Sequence, residues 1–321
     1  MEFKNFEVKY LDEVVNLWNR EVAQVAIYKP FTNTSFTQKF LDNKFFDNTR
    51  LKLLFENEKL IGMGHAIMTD AEASPGYITF VVVDKAHERH GIGSTILAEL
   101  EKYLKEKGKT LVRLLFFNPT NLEWIIPGTT ADHPGAPAIP YNSPFYFLLL
   151  ANGYKTSAQQ DAFYLDITNY SIPQKVIDTE ERNEKEGYTI TIYDEKLHHG
   201  FKELFEELKN PGWYQAVQNN LAKEKPDPML IVQKEGEILG WTGPMYTQES
   251  GRGYFAGIGV HPKTQGLGLG KALFCHLVNE SRKNGAKFMT LFTGAENLAR
   301  NIYLYAGFKI VQSFAVMSKP L

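Results

Sequence analysis

The sequence contains one pattern of strand, glycine turn and helix twice, and this repeat limits the folds that the chain can adopt. In the first half, the apolar run Tyr77–Val83 leads into a turn around Gly91 and then into an amphipathic segment. In the second half, the run Gly253–Val260 leads into a turn around Gly268 and then into another helical segment. Internal similarity of this length predicts two copies of one module in tandem.

Composition agrees with two soluble domains. A chain of 321 residues is long for one domain, and its 43% hydrophobic and 22% charged residues are typical of a globular protein. Lys and Arg number 35 against 37 Asp and Glu, which argues against binding to nucleic acid or to a membrane. The single cysteine, Cys275, suits a reducing compartment, and the N-terminus has no apolar leader segment. We therefore expect a cytoplasmic protein.

The C-terminal turn, Gln265–Gly270, has the composition of an anion-binding site. Its three glycines allow the backbone to approach a phosphate closely, and the helix that follows offers free amides and the positive end of its dipole. A dinucleotide-binding βαβ unit is the other interpretation of such a turn. That unit requires an acidic residue about 20 residues later, and none ends the next strand, Phe288–Thr293.

The second half resembles the GNAT superfamily of acetyl-CoA-dependent N-acyltransferases. Gln265, Gly268 and Gly270 match its Gln/Arg-x-x-Gly-x-Gly/Ala signature, and Tyr303, four residues before Gly307, matches the tyrosine that the family uses as a general acid. The resemblance implies an α/β fold of the α+β type, made of two tandem GNAT modules. Each would be a mixed, mostly antiparallel twisted sheet flanked by helices. The layout is similar to that of mycothiol synthases, although the sequence does not fix that substrate.

Residues 1–170 are expected to form the N-terminal module, 171–187 a charged connector and 188–321 the C-terminal module. A short solvated helix is the alternative for the connector. The last strand of the C-terminal module is predicted over Phe314–Ser318. The N-terminal copy is longer, and its insertion follows a strand predicted over Thr110–Phe117. Prolines and glycines in this insertion indicate an ordered loop.

The resemblance places acetyl-CoA in the C-terminal module. Main-chain amides of the C-terminal turn would hold the pyrophosphate, and the end of the preceding strand would run beside the pantetheine. The amide of Val260 would donate to the thioester oxygen, and Asn297 stands where the family often has a polar contact to the cofactor. The residues expected to bind acetyl-CoA are Ile258, Gly259, Val260, Gln265, Gly266, Leu267, Gly268, Leu269, Gly270, Lys271 and Asn297.

The resemblance makes Tyr303 the catalytic acid that protonates the coenzyme A thiolate. The alternative is an aromatic packing role, and Tyr305 is out of register with the motif. Many relatives carry a glutamate as general base before the turn, but here Tyr254 occupies that position, and a phenol with a pKa of about 10 is a poor base at neutral pH. Glu249 acting through a water, or a water chain ending on a backbone carbonyl, are the alternatives. The base is therefore left unassigned.

The N-terminal copy is expected to be degenerate. It has Glu88 where the family has Gln or Arg, and Leu149 where the second copy has its tyrosine. A carboxylate beside a pyrophosphate is unfavourable, so this module is expected to bind coenzyme A weakly or not at all and to help form the acceptor site or the domain interface, or to serve only as a scaffold. An inactive cofactor-binding module and a second active site are the alternatives. Its weaker candidates for cofactor binding are Val81, Val83, Arg89, His90, Gly91, Gly93 and Ser94.

The expected reaction is transfer of an acetyl group to a primary amine of a small molecule, by a monomer or homodimer. Acetylation of a protein amine and a non-catalytic acyl-CoA sensor are the alternatives. No metal is expected, because the histidines lack ligand spacing, and Cys275 is interpreted as a buried structural thiol. Aromatic residues that could line the acceptor pocket of the second module are Trp213, Tyr214, Trp241 and Tyr246.

Overall fold

The computed structural model describes residues 1–23, 27–116 and 118–321. Contacts divide the chain into two compact units. The first comprises Met1–Ala162 together with Val311–Leu321, and the second comprises Phe163–Ile310. Each unit has its own buried apolar cluster, as expected for two modules of ordinary domain size.

The first unit is a sheet covered by helices. Its elements, in chain order, are β1 (Glu2–Asn5), α1 (Leu11–Glu21), α2 (Asn33–Phe36), β2 (Leu51–Glu56), β3 (Lys59–Ile67), β4 (Gly76–Val83), α3 (Ile92–Glu106), β5 (Leu111–Leu114), β6 (Trp124–Ile125), β7 (Asp132–His133), β8 (Ile139–Pro140), α4 (Pro144–Ala151) and β9 (Lys155–Asp166), whose last residues, from Phe163 on, belong to the second unit.

The second unit begins with an additional helix and then follows a similar order of elements, without counterparts of β6, β7 and β8 in the part of the chain that the structure describes. It contains α5 (Gln174–Lys185), β10 (Thr189–Ile192), α6 (Phe201–Glu207), α7 (Pro211–Leu221), β11 (Leu230–Lys234), β12 (Glu237–Gly243), β13 (Tyr246–Thr247), β14 (Gly253–Tyr254), β15 (Gly257–Val260), α8 (Leu269–Lys283), β16 (Phe288–Gly294), α9 (Arg300–Tyr305) and the start of β17 (Lys309–Pro320), whose remainder, from Val311 on, belongs to the first unit.

In the first unit, strands β1, β2, β3 and β4 pair antiparallel in sequence order. Strand β4 pairs with β5 in parallel, but only through Gly76 with Val112 and Tyr77 with Arg113. Beyond these two pairs the strands diverge, so the rest of β4 has one open edge. Helix α3 packs on the sheet through Ile96, which leaves no room for a Cβ at Gly62.

The C-terminal strand differs from the prediction. We expected Phe314–Ser318 to be the last strand of a module spanning 188–321, but the residues from Val311 on belong to the first unit. Strand β17 pairs antiparallel with β5, Met317 lying opposite Leu114. Burial explains this pairing, because Phe314 and Met317 are fully buried there and Phe314 packs edge-on against Trp124 at 5.3 Å. Of the predicted strand Thr110–Phe117, residue Phe117 lies outside the described residues.

The predicted connector 171–187 contains a helix, α5, as in the alternative interpretation of that segment, but the helix is packed and not solvated on all sides. It is mostly polar, but Val176 and Asn183 are only 2% and 6% exposed. Val176 joins the apolar cluster of the second unit. Helix α5 is therefore packed on the second unit, chiefly against α8.

The sheet of the second unit has the order β10–β11–β12–β15. Strand β15 is the edge strand, and it pairs with β12 through Gly240 opposite Val260. The glycine turn follows this edge strand directly. The strand that was predicted over Gly253–Val260 is interrupted, forming β14 and β15.

Candidate active site

The two glycine turns have matching backbone conformations. Gly268, at the start of α8, has a φ of 79°, and Gly91, at the start of α3, has a φ of 78°. Two positions earlier, Gly266 has a φ of 85°, whereas Arg89 has a φ of 62°. L-residues rarely adopt this left-handed conformation. The N-terminal turn, Glu88–Gly93, therefore keeps the conformation of its repeat even where glycine has been replaced by arginine.

The C-terminal turn presents a row of free amides. Among the described residues, none offers a backbone acceptor to the amides of Gly266, Gly268, Leu269 or Gly270. The amide of Lys271 bonds only back to the carbonyl of Gly268, at 3.1 Å. Because these amides lie just before α8 or in its first turn, they are at the positive end of its dipole. The structure thus brings Gln265–Lys271 together in a geometry that suits a phosphate.

The strand before the C-terminal turn offers two more free amides. The amide of His261 donates to the carbonyl of Leu239 at 2.8 Å, which fixes the alternation of hydrogen bonds between β15 and β12. In an antiparallel pair every second residue directs its amide to the opposite edge. The amides of Ile258 and Val260 therefore point to the open edge of β15, and that of Gly259 points to β12. Of these three predicted contacts, Ile258 and Val260 have amides suited to a ligand.

The first unit shows the same arrangement. The amide of Asp84 donates to the carbonyl of Ile61 at 2.8 Å, so the amides of Val81 and Val83 point away from β3 towards the open edge of β4. Both residues line a groove of about 740 Å³. Its other wall is apolar and comes from α4, on which Phe147 is 59% exposed.

The N-terminal turn forms the end of this groove. Arg89, Gly91, Gly93 and Ser94 line it, and so does the unfavourable Glu88. His90 is exposed on the turn. The hydroxyl of Ser94 accepts a hydrogen bond from Asn152 at 3.0 Å. The strand edge and turn of this module are therefore preserved in shape.

An ion-pair network fixes the N-terminal turn to the sheet. The carboxylate of Asp84 is 2.9 Å from Arg20, 3.2 Å from Lys59 and 3.2 Å from His87. Burial alone would raise the pKa of Asp84, but hydrogen bonds from His87, Lys59 and the Ala86 amide outweigh burial and hold the pKa below its usual value. Asp84 thus stays ionised and holds the start of the loop in place.

The acid candidate of the second unit lies in an aromatic cluster. The ring of Tyr303 is 7% exposed and packs against Phe274 at 4.9 Å and Phe163 at 5.4 Å. Burial raises the pKa of Tyr303 to about 12. Its hydroxyl forms no hydrogen bond with the described part of the chain. A phenol held in its protonated form can donate to a thiolate, and the same packing also stabilises the core.

The corresponding residue of the first unit is Leu149. It is fully buried in the core of that unit. Tyr146, one turn earlier on α4, stacks edge-on against Tyr141 at 5.1 Å. The N-terminal groove therefore lacks a phenol at the position that Tyr303 occupies in the second unit.

Asn297 has a local structural role. Its side-chain oxygen accepts a hydrogen bond from the amide of Ala299 at 2.9 Å, which shapes the start of α9. Only its side-chain amide can donate to a ligand. The Nζ atom of Lys271 lies over the ring of Tyr305, 4.9 Å from its centroid. Tyr305, which is out of register with the family motif, therefore holds the ammonium group of Lys271 beside the C-terminal turn.

The aromatic residues that were considered for the acceptor pocket separate into two groups. Trp241 is fully buried and packs on Phe205 at 5.1 Å, so it is a core residue. Trp213 covers one face of β15, where a Cβ built at Gly257 would lie 2.3 Å from its indole nitrogen. The sequence contains Gly257, but it does not show that this glycine leaves space for an indole beside the strand that is predicted to bind coenzyme A.

Tyr254, at the position of the family's base, stacks on Tyr246 at 4.5 Å. Burial raises the pKa of Tyr246 above its usual value. Glu249 is exposed in the turn between β13 and β14. Neither a strand carboxylate nor a histidine is present between Gly253 and Val260.

Sequence reasoning missed two residues that contact the C-terminal turn. Asn183 of α5 donates a side-chain hydrogen bond to the carbonyl of Leu267 at 3.0 Å. The methyl group of Thr179 lies 2.9 Å from a Cβ built at Gly268. The only signal was the apolar Val176 and Ile177 within an otherwise polar run.

Cys275 is fully buried on α8. Burial raises the pKa of its thiol. Within residues 1–23, 27–116 and 118–321, no group of three or more His, Cys, Asp or Glu side chains is arranged to hold a metal. In the same part of the chain, no helix has the length and apolar character needed to cross a bilayer.

Comparison with known proteins identifies the fold. A mycothiol acetyltransferase of Cellulomonas flavigena is 34% identical over 93 residues, which cover 26% of this chain and 27% of that protein. A GCN5-related glucosamine N-acetyltransferase region in a fungal multi-domain GH3 β-N-acetylglucosaminidase matches with a TM-score of 0.68 and 16% identity, over 99% of this chain and 38% of that one. A tandem GNAT protein from the clavulanic acid biosynthesis pathway matches with a TM-score of 0.57 and 13% identity, over 99% and 98%.

These findings confirm the predicted fold class. The chain spans about a quarter of the length of the mycothiol acetyltransferase that it matches. The model of the acetyltransferase (GNAT) family matches residues 13–123 and 194–308, which is one match in each half of the sequence. Since these matches cover more than half of the chain, it belongs to the acetyltransferase (GNAT) family and carries two GNAT modules in tandem.

Proposed function

We propose that the protein transfers an acetyl group from acetyl-CoA to a primary amine of a small molecule, and that the C-terminal module performs the reaction. The observation that carries the proposal is the open edge of β15, which continues into the free amides of the C-terminal turn. The amides of the turn can donate hydrogen bonds to a phosphate, and the amides at the open edge of β15 can donate to an extended chain. The name of the similar mycothiol acetyltransferase supports acetyl transfer as the reaction class.

In this proposal each residue has one task. Within Gln265–Lys271, the free amides of Gly266, Gly268, Leu269 and Gly270 hold the pyrophosphate, and the amide of Val260 polarises the thioester carbonyl. The acceptor nitrogen attacks that carbonyl carbon, a C–N bond forms and the C–S bond breaks. Tyr303 donates its proton to the departing sulfur, the proton of the amine leaves to water, and water returns a proton to Tyr303. Preorganised amides of this kind contribute most when water is excluded.

The acceptor site is proposed beside β15, next to Trp213. The indole lies against Gly257 and Gly259, so an amine that reaches the thioester would pass its face. An aromatic wall on an edge strand favours a compact acceptor over an extended polypeptide.

The buried Cys275 agrees with a cytoplasmic location.

The N-terminal module is proposed to be inactive, because Leu149 replaces the acid. Its preserved groove favours a second candidate, a coenzyme A site without turnover. A matched pair of variants separates the modules. A Cβ at Gly270 would make ordinary contacts with Ile302 and Val260 at 3.7 Å, and one at Gly93 would meet only flexible ends of Leu148 at 3.1 Å.

The experiment is calorimetric titration of acetyl-CoA into the wild type, Gly270→Asp and Gly93→Asp. Each variant places a carboxylate at the start of a helix, where it repels a phosphate but does not oppose the helix dipole. We expect Gly270→Asp to abolish turnover and the tighter binding site, and Gly93→Asp to retain turnover. Loss of turnover only in Gly93→Asp would assign catalysis to the N-terminal module. Absence of binding to the wild type would reject the proposed function.

A further inference from the structure

We propose that Asn183 is a positioning residue that orients the C-terminal turn for coenzyme binding, an inference that rests on the proposed function. Asn183 lies near the end of α5, outside every motif of the family signature. The residue is only 6% exposed. Its side-chain nitrogen donates a hydrogen bond to the carbonyl of Leu267 at 3.0 Å. The two residues are 84 positions apart in the sequence.

The planarity of the peptide bond makes this contact consequential. The carbonyl of Leu267 and the amide of Gly268 belong to the same peptide unit, and in a trans peptide they point in opposite directions. When Asn183 holds the carbonyl on the α5 side, the amide of Gly268 is directed away from α5, to the side where the turn is open. Asn183 thus orients a donor that it does not touch.

Neighbouring contacts fix α5 in place. Thr179, one turn before Asn183, packs at Gly268, and Glu180 pairs with His276 of α8 at 2.5 Å. The carbonyl of Asn183 itself accepts the amide of Tyr188 at 3.0 Å, which fixes the end of the helix. These contacts restrict the movement of the C-terminal turn relative to α8.

The N-terminal turn provides a natural comparison. Within the described ranges, no side chain donates a hydrogen bond to the carbonyl of His90, the counterpart of Leu267. This turn carries Arg89 in the left-handed conformation instead of a glycine. The support by a buried asparagine is therefore specific to the module that we propose to be active.

The test measures kcat and the KM for acetyl-CoA in Asn183→Ala and in Asn183→Leu, which keeps the branched shape of the side chain and removes the donor. We expect the KM to rise about tenfold, the effect of one well-placed hydrogen bond, while kcat changes less than twofold. The backbone amide resonance of Gly268 should shift in both variants. If Asn183→Ala does not fold, the same measurements are made on Asn183→Leu alone.

Asn220→Ala is the matched control. Asn220, on α7, is 1% exposed and donates to the backbone carbonyl of Asp227 at 2.8 Å. It should lower the melting temperature without raising the KM. Equal KM values for the wild type and both Asn183 variants, with an unshifted Gly268 resonance, would overturn the inference. A wild type that does not bind acetyl-CoA would reject the proposed function, and the Gly268 resonance would still test the role of Asn183.

Discussion

At the scale of single residues, the distinction between Tyr303 and Leu149 carries the most chemistry. Both occupy the same place in their modules and both are buried, but only one has an ionisable group. The spacing to Gly307 predicted which tyrosine stands at that place. Its aromatic neighbours Phe163 and Phe274 are distant in sequence, so the raised pKa could not be predicted.

Tyr303→Phe should lower kcat about a hundredfold and leave the KM for acetyl-CoA unchanged, because general acid catalysis typically contributes at least that factor. Steady-state kinetics at pH 7.5 would measure both. Tyr305→Phe is the control and should retain kcat. Full activity in Tyr303→Phe would show that the phenol only packs in the core.

The same residue predicts a dependence of stability on pH. The pKa of Tyr303 is about 12 in the folded protein and about 10 when unfolded, so the protein binds the proton more tightly when folded. Its contribution is complete below about pH 10 and is lost as the pH rises towards 12. Urea unfolding of the wild type should show this alkaline loss, and Tyr303→Phe should reduce it. An identical loss in both proteins would contradict the assigned pKa.

Arg89 is strained in its turn. A left-handed arginine costs about 1–2 kcal/mol, and glycine at the same position costs about 0.5–1 kcal/mol of chain entropy. Arg89→Gly should therefore stabilise the protein by about 0.5 kcal/mol, measured by chemical denaturation. Gly91→Ala, which forces an alanine into a φ of 78°, should destabilise it. A loss of stability in Arg89→Gly would mean that the guanidinium makes stabilising contacts.

At the scale of elements, the amphipathic segment predicted after Gly91 is the helix α3, which packs on the sheet through Ile96. Local signals fail where tertiary contacts decide. Helix α5 is mostly charged, and only a few of its side chains, such as Val176, reveal that it packs. The partner of β17 is not encoded in its own residues, because any apolar strand can add to an open edge.

The sequence also did not show which residues of each strand direct their amides to the open edge. Whether Val81 and Val83 or their neighbours direct amides to the open edge depends on register, and a slip of one residue would reverse it. Of the C-terminal candidates, Gly259 was named with Ile258 and Val260, but its amide faces β12. Motif spacing locates a turn, and only pairing shows which amides are free.

At the scale of the whole molecule, the two compact units do not follow the order of the chain. The boundary expected at 171–187 would leave the first unit without β17, which supplies the neighbour of β5 and buries Phe314 and Met317. A variant that ends at Ile310 should therefore fail to fold its first unit, although it keeps every residue of the predicted N-terminal module, 1–170.

Deletion of Val311–Leu321 tests this directly. Circular dichroism and limited proteolysis should show unfolding or digestion within residues 1–162, with a loss of several kcal/mol from exposure of a central strand edge and a cavity at Phe314. Substitution of Ile310, which is 39% exposed, by Ala is the control and should leave the fold intact. A first unit that remains folded without these residues would contradict the contact division.

Strand β17 also has a consequence for how the protein is made. Translation delivers β5 long before Val311–Leu321, so the nascent first unit waits with an unpaired edge while the second unit emerges. Its completion is therefore a late event, because it must wait until Val311–Leu321 has left the ribosome. A protein whose synthesis stops before Val311 would leave its earliest-made part unfinished and open to chaperones and proteases.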